Sequence, residues 1–321
     1  MSWIVRRAFD AACGAAGFRR LLIFTFHRVL PAPDPLLAGE PYAESFAERL
    51  DWIRDLLNVL PLPEAARRLR EGKLPTRAAC ITFDDGYRNN HDVAAPLLAA
   101  RGLPASFFVA TNAIDRGAMW NDLVIEAMRA CGDRLDLEEF GLPSVDVASE
   151  SERSAKLDPA IETIKYQPMA RRAEIADRLY ARYCGSAPPA LMMSREMVRA
   201  LAQAGHDVGS HTMTHPILLK IDAASARREI DGSRDWVADV TGRAPVSFAY
   251  PNGRPGIDFG PQHADMVRAA GFTCAVATTW GCATRRSDPF ALERFTPWEA
   301  TRDGFVTRIL KTYARSYLPS R

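Results

Sequence analysis

The chain has 321 residues, 47% hydrophobic and 25% charged, and its 41 Lys and Arg residues nearly balance 39 Asp and Glu residues. This composition is that of a globular protein with a sizeable core, and it excludes the disordered, fibrous and integral-membrane classes. A formal net charge of +2 gives no reason to expect a nucleic-acid partner. The six cysteines include no CxxC pair, so we expect buried thiols and no disulfide framework.

The N-terminal segment mixes short apolar stretches with arginines. Residues 3–20 can form a basic amphipathic helix, which either packs on the domain or rests on a membrane surface, and we favour packing. We see no apolar stretch of roughly 7–15 residues followed by a cleavage site, so we expect a cytoplasmic protein, with contact at the inner membrane face left open. The apolar run over residues 21–26 is too short to cross a bilayer and predicts a buried strand.

One pattern recurs along the chain: a helix with apolar periodicity, then a glycine, then a β-rich run. It appears as AAPLLAARG before LPASFFVAT, as MVRALAQAG before HDVGSH, and as HADMVRAAG before FTCAVATT. Residues 79–83 and 246–250 are further strand candidates. Short apolar runs of this kind are typical of strands buried on both faces of a parallel sheet. The pattern therefore predicts an α/β fold, and a distorted (β/α) barrel is favoured over an open doubly wound sheet because no GxGxxG loop is present.

Residues 132–192 interrupt this pattern with many charges, several prolines and no strong β run. We interpret them as a partly helical insertion, with a helix over residues 170–183. Residues 301–317 are predicted to form a closing helix. Residues 1–321 are accordingly interpreted as a single domain that carries one insertion.

A pair of carboxylates follows one of the predicted strands, in the segment ITFDDGYRNN at residues 81–90. Asp84 and Asp85 lie at the carboxyl end of that strand, where (β/α) barrels hold their chemistry. Adjacent residues of a strand point to opposite faces, but a turn at Gly86 would direct both carboxylates to one site. The alternative is that Asp85 caps a helix beginning near Asn90.

A pair of histidines follows another predicted strand, in the segment GSHTMTHPIL at residues 209–218. Since His211 and His215 are four residues apart, one helical turn would place both imidazoles on one face, suited to a divalent metal. Thr212 stands where the HExxH motif has its glutamate, so a metalloprotease would lack its base. With Asp85 the histidines make three protein ligands with open positions, which is typical of a catalytic site. Asp84 would then take a proton from metal-bound water in the hydrolysis of an amide or ester.

Together the two segments resemble the polysaccharide deacetylases with a NodB-type domain, carbohydrate esterase family four. The matching motifs are TFDDG at residues 82–86 and HTMTH at residues 211–215, and the resemblance covers about residues 20–112 and 193–297. It implies a distorted (β/α)₇-type barrel that removes an acetyl group from an amino sugar or glycan. It also implies a general base and three ligands for a divalent metal, usually zinc: Asp84 as the base, and Asp85, His211 and His215 as the ligands.

The chain departs from the family pattern in two places. The usual motif R-x-P-[YF]-G reads AYPNG at residues 249–253, so Ala249 replaces the arginine that would tether the base, and Arg294 is the candidate substitute. The backbone N–H of Asn252 would still stabilise the oxyanion. The usual C-terminal L-x-H is absent, but His27 ends the first predicted strand, as in the circularly permuted poly-N-acetylglucosamine deacetylases. We therefore expect His27 to protonate the leaving amine, with a purely structural histidine as the alternative.

The leading hypothesis is a metal-dependent de-N-acetylase for an acetylated amino sugar, an oligosaccharide or a lipid-linked glycan. An O-acetyl esterase and a non-catalytic glycan-binding relative of the same fold are the alternatives. An iron oxygenase with two histidines and one carboxylate is disfavoured, because that triad usually lies on all-β scaffolds. The identity of the glycan depends on loop residues, which sequence patterns describe least well.

Overall fold

The computed structural model describes residues 20–185, 187 and 190–315. The N-terminal helix predicted over residues 3–20 therefore lies outside the described residues, except at its last position. None of the helices in the described ranges combines the length and the apolar character needed to span a membrane.

Strands and helices alternate along most of the described chain. The strands are β1 (Leu21–Phe26), β2 (Asn58–Val59), β3 (Ala78–Phe83), β4 (Ser106–Val109), β5 (Arg134–Leu135), β6 (Val145–Asp146), β7 (Asp207–Ser210), β8 (Ser247–Ala249), β9 (Cys274–Trp280) and β10 (Leu292–Arg294). The α-helices are α1 (Ala43–Leu56), α2 (Leu62–Glu71), α3 (Ala95–Ala99), α4 (Thr111–Arg116), α5 (Trp120–Ala130), α6 (Glu150–Lys165), α7 (Met169–Tyr183), α8 (Arg195–Gln203), α9 (Ala223–Thr241), α10 (Pro261–Ala269) and α11 (Arg302–Arg315).

The main sheet closes into a barrel of parallel strands. Its order in the described chain is β1-β3-β4-β7-β8-β9-β10, and β2 pairs with β3 off this path. The two ends of the order meet, because Thr25 N–H donates to the Phe295 carbonyl at 3.1 Å and Phe295 N–H donates to the Ile23 carbonyl at 3.0 Å. The barrel predicted from the repeated helix-glycine-strand pattern is therefore confirmed.

Alternate residues of each strand face two different apolar layers. Every residue of β1 and of β3 is buried, as the continuous apolar runs predicted. Strands around the whole barrel contribute to one apolar cluster, which includes Ile23, Cys80, Phe108, Ala249 and Val276. The residues between them, including Phe24, Phe83 and Phe107, join a second cluster shared with surrounding helices.

A helical layer interrupts the barrel between β4 and β7. Helices α5, α6 and α7 share an apolar cluster of their own, and β5 and β6 form a two-stranded antiparallel ribbon beside them. This layer begins at Trp120, earlier than the predicted insertion at 132–192, because α5 packs on α7 and not on the barrel strands. The helix predicted at 170–183 is α7, and the closing helix predicted at 301–317 is α11, whose last two predicted positions lie outside the described residues.

Gly209 in β7 provides a test of the barrel packing. A Cβ at this position would lie 2.5 Å from Ser247 Oγ and 2.6 Å from the Phe108 ring. We expect Gly209→Ala to lower the free energy of unfolding by about 1–3 kcal/mol, because a packed core accommodates an extra methyl group only by strain. Urea denaturation measures the change. Gly39→Ala is the control, since no atom lies within 4 Å of that Cβ position, and equal stability of the two variants would contradict the packing described.

Candidate active site

The two adjacent aspartates are separated by a tight turn at the end of β3. Asp84 N–H still donates to the main chain at the end of β1, at 2.9 Å. Asp85 and Gly86 follow with φ angles of 75° and 91°. A Cβ at Gly86 would meet Ile114 Cδ1 at 2.9 Å, so both the backbone and the space require glycine. The chain thus turns at Asp85, one residue earlier than expected, and the two carboxylates take different partners.

Asp84 forms a bidentate ion pair with Arg294 of β10. Nη1 of Arg294 lies 2.8 Å from Oδ1 of Asp84, and Nη2 lies 2.7 Å from Oδ2. Arg294 also donates from Nε to the Ala277 carbonyl at 2.9 Å and from Nη1 to Thr82 Oγ1 at 3.2 Å. Burial by itself raises the pKa of Asp84, but Arg294 and nearby histidines hold it below its usual value. Asp84 is therefore an ionised carboxylate with a single orientation.

The two histidines lie in an irregular loop after β7, so the predicted helical turn is wrong. Thr212 and His215 have φ angles of 63° and 55°. Glu229 of α9 holds the loop, because its Oε2 accepts the backbone N–H groups of Met213 at 2.8 Å and Thr214 at 2.9 Å. These N–H groups bond to a side chain in place of a helical carbonyl. No pattern in the sequence linked Glu229 to the histidine motif.

The loop brings both imidazoles to the Asp85 carboxylate. The Nε2 atoms of His211 and His215 lie 3.5 and 3.6 Å from Asp85 Oδ1. Nδ1 of His211 is 2.7 Å from the Ala249 carbonyl, to which it must donate, so Nε2 is free to act as a ligand. The three candidate ligand atoms lie within 4.8 Å of one another. Donor atoms around a tetrahedral zinc ion are about 3.4 Å apart, so these residues fit a divalent metal.

The electrostatics of the three donors agree with this fit. Burial and the adjacent His211 lower the pKa of His215 to about 3, so its imidazole is neutral. Burial raises the pKa of Asp85, but the two histidines lower it well below its usual value. Burial also lowers the pKa of His211, but Asp85 and Asp84 outweigh burial and raise it. Since a metal binds deprotonated ligands, binding would displace any proton shared by His211 and Asp85.

The comparisons with known proteins identify the family of the chain. A family model described as polysaccharide deacetylase matches residues 71–275. The chain belongs to the polysaccharide deacetylase family. Residues 82–86 and 211–215, which carried the resemblance in the sequence, both lie inside the matched region.

Solved structures share the fold of this polysaccharide deacetylase at low sequence identity. The Streptococcus pyogenes deacetylase PplD in complex with acetate has a TM-score of 0.62 at 16% identity, covering 92% of this chain and 98% of that one. IcaB from Ammonifex degensii has a TM-score of 0.56 at 18% identity, covering 92% and 97%. The BpsB deacetylase domain from Bordetella bronchiseptica has a TM-score of 0.54 at 18% identity, covering 86% and 95%.

A curated relative matches over a short region. A protein of Geobacillus stearothermophilus described only as uncharacterized is 30% identical over 61 residues. The match covers 19% of this deacetylase-family chain and 23% of that relative, which is less than two thirds of its length.

His27 of the deacetylase-family chain lies at the same rim, directly after β1. Its side chain is exposed although its neighbours are buried, and its carbonyl accepts Asn90 Nδ2 at 2.8 Å. Burial raises the pKa of Asp84 and of Asp85, and the charge of His27 is among the influences that lower both again. His27 is thus within electrostatic reach of both aspartates while its ring is open to solvent.

The loop after β8 replaces the usual family motif. Ala249 stands at the motif position where the family has an arginine, and it is buried. Its carbonyl accepts the hydrogen bond from His211 Nδ1. Asn252 has a φ angle of 58°, and its carbonyl accepts Thr278 Oγ1 at 2.7 Å. The loop therefore lies at the histidine end of the barrel.

The alternative role of Asp85 as a helix cap is wrong. The helical segment that begins at Asn90 has no side-chain cap, so Asp85 does not cap it.

The helical layer is tied to this rim by a group that sequence reasoning missed. Arg28, next to His27, forms a buried ion pair with Asp122 of α5 and lies over the Tyr87 ring at 4.0 Å. The Tyr87 hydroxyl donates to Asp122 Oδ1 at 3.0 Å. The end of β1 is therefore held in place by the inserted helices. The sequence around Asp122, WND at residues 120–122, carries no signal for this partner.

We expect Arg294→Met to destabilise the protein by about 3–5 kcal/mol, because it leaves the buried Asp84 carboxylate without its partner. Urea denaturation measures the loss, and the double variant with Asp84→Asn should recover part of it. The control is Arg67→Met, which removes an exposed ion pair with Glu71 and should cost less than about 1 kcal/mol. Unchanged stability of Arg294→Met would refute the importance of the pair.

We expect the chelator-treated protein to bind one Zn²⁺, measured by calorimetry, with a rise in melting temperature as zinc is added. His215→Ala should weaken binding by at least about 100-fold, because loss of even an outer-shell partner costs roughly 10–100-fold. His91→Gln is the control, since His91 bonds to Asp92 at 2.8 Å away from the triad. Zinc affinity that survives His215→Ala would rule out the triad as the metal site.

Proposed function

We propose that this protein is a metal-dependent carbohydrate de-N-acetylase, a hydrolase that cleaves the amide between an acetyl group and an amino sugar. The carrying observation is the arrangement of Asp84, held by Arg294, directly beside the donor triad that begins at Asp85. This arrangement supplies an oriented base next to a metal site at the carboxyl ends of the barrel strands. Two of the solved neighbours, PplD and the BpsB domain, are described as deacetylases, and membership of the family supports the same reaction class here.

A divalent cation held by Asp85, His211 and His215, which we expect to be zinc, would polarise the acetyl carbonyl and lower the pKa of a bound water toward about 7. The roles of the chain's own residues follow from their positions. Asp84 accepts a proton from the attacking water, and Arg294 keeps this carboxylate ionised and oriented. The backbone N–H of Asn252 donates to the oxygen that gains negative charge.

His27 completes the reaction as the general acid in this proposal. The water oxygen forms a bond to the carbonyl carbon, the C–N bond breaks, and His27 gives a proton to the departing nitrogen. The products are acetate and a free amino sugar. The exposed ring of His27 favours this role over a structural one, because the ring can reach a substrate that enters from solvent. An amine leaves readily only when protonated, so a histidine here favours an amide substrate over an O-acetyl ester.

The non-catalytic alternative is disfavoured by the same geometry. Its support in the sequence was the alanine at position 249, where the family arginine is missing, together with the missing C-terminal L-x-H. Arg294 provides a guanidinium to Asp84 from another strand, so the missing arginine does not leave the base without a partner. His27 stands in this proposal for the missing C-terminal histidine.

The test is acetate release from N-acetylglucosamine oligomers by the zinc-loaded protein. Asp84→Asn should lower kcat/KM by about 10²–10⁴-fold, because it removes the base. His27→Ala should lower kcat by about 100-fold while zinc affinity is kept. His91→Ala, which removes a half-buried histidine bonded to Asp92, is the matched control and should retain activity. An absence of acetate release with zinc, or full activity of Asp84→Asn, would overturn the proposal.

A further inference from the structure

Arg172 of α7 is a buried arginine that contacts no carboxylate among the described residues. Its residue is 5% exposed. Its guanidinium lies 4.8 Å from the centre of the Trp120 ring, and Nη2 lies 3.5 Å from the His215 carbonyl. Arg28 and Arg294 are similarly buried, but each forms an ion pair with a buried aspartate. Within the described ranges Arg172 forms no ion pair, and a buried charge without a partner is costly.

Two cavities meet at this arginine. The larger, about 610 Å³, is lined by the loop from Met213 to His215, and so by one residue of the candidate metal site. The smaller, about 320 Å³, is lined by residues around the start of α7 and by the chain after His215, and we call it the outer cavity. Met169 and Arg172 line both cavities. The guanidinium is therefore positioned between the candidate metal site and the outer cavity.

The charges around the outer cavity are positive. Lys165 and Lys220 line it together with Arg172, and none of its lining residues is acidic. Lys165 pairs with Glu162 at 3.2 Å, whereas Lys220 is exposed and forms no ion pair among the described residues. The acid of the larger cavity, Asp115, is already engaged by Arg195 at 2.9 Å. The local field thus favours an anion.

We propose that Arg172 and Lys220 form a subsite for a phosphate group carried by the amino-sugar substrate. This inference rests on the proposed function and specifies its substrate class. A guanidinium presents paired N–H donors that match phosphate oxygens, and a second cation suits a group that carries more than one negative charge. The phosphate would pair with Arg172 in the same way that Asp122 pairs with Arg28 and Asp84 pairs with Arg294.

Two kinds of molecule carry such a phosphate: a soluble sugar phosphate, and a sugar joined through phosphate to a lipid. Both present phosphate oxygens beside the acetamide, although the monoester carries about two negative charges near pH 7 and the lipid-linked diester carries one. The outer cavity also has apolar walls, which include Tyr166, Met169 and Ile217, and both Tyr166 and Met169 are exposed. The experiment therefore includes an arm that separates the two sources.

The first measurement is the ratio of kcat/KM for phosphorylated over plain N-acetylglucosamine, using the 1-phosphate and the 6-phosphate. We expect a ratio of about tenfold or more for one of them in the unmodified protein, and a ratio near one in Arg172→Gln. Arg172→Lys, which keeps the charge but not the paired donors, should give an intermediate ratio. Because both substrates are measured on the same variant, a general loss of activity does not change this ratio. Arg178→Gln on the same helix is the control, since Arg178 is exposed and pairs with Glu139.

The second measurement is calorimetric binding of the same sugar phosphates to Asp84→Asn protein, which separates the subsite from the reaction. We expect about tenfold weaker binding when Arg172→Gln is added. If no substrate releases acetate but binding depends on Arg172, the subsite stands and the proposed function fails. If acetate is released and neither the ratio nor the binding depends on Arg172, the function stands and the subsite is overturned.

The third arm compares N-acetylglucosamine 1-phosphate with the same sugar phosphate esterified to a decyl chain. Tighter Arg172-dependent binding of the decyl ester supports a lipid-linked substrate. Equal or weaker Arg172-dependent binding supports a soluble sugar phosphate. Binding of both that is unaffected by Arg172→Gln and by Lys220→Gln overturns the subsite.

Discussion

The ion pair between Asp84 and Arg294 joins the two halves of the candidate site. The residues are 210 positions apart, and they meet because β10 closes the barrel beside β1 and β3. A buried carboxylate is tolerated only with such a partner, so closure of the barrel and assembly of the base are one event. The pair also keeps Asp84 apart from its neighbour Asp85, which turns toward the histidines. Two adjacent like charges thereby take different roles.

The rim of the barrel concentrates unusual backbone conformations. Among the described residues, five non-glycine positions have left-handed φ angles: Arg77, Asp85, Thr212, His215 and Asn252. All except Arg77 lie in the loops that carry the candidate site. Such conformations cost about 1–3 kcal/mol each and persist only where the surroundings impose them. In the histidine loop, the backbone N–H groups of Met213 and Thr214 donate to Glu229, and these bonds show how the fold can impose such a conformation.

The inserted helices are part of the site environment and not a separate decoration. Asp122 of α5 holds the residue after His27, and Arg172 of α7 contacts the carbonyl of His215. The first contact is buried and the second is partly buried, and both join the helical layer to the barrel rim. The phosphate subsite proposed above would let a segment without the family motifs contribute to substrate choice. The insertion also places the charge of Arg172 next to a candidate metal site whose three ligands all come from loops of the barrel.

The sequence alone revealed the barrel, six of its strands and the aspartate and histidine motifs that meet at its rim, because buried strands, helix-ending glycines and paired motifs are local patterns. It did not reveal β10, the short strand that carries Arg294. It was misleading for the histidine loop, since a spacing of four suits a helix but Glu229, distant along the chain, bonds the loop into another shape. Arg172 and Asp122 escaped notice for a similar reason: nothing in their surrounding sequence distinguishes them from ordinary helix residues. Which charges are buried, which of them are paired and which of them face a cavity are properties of contacts between distant segments, and those exist only once the chain has folded.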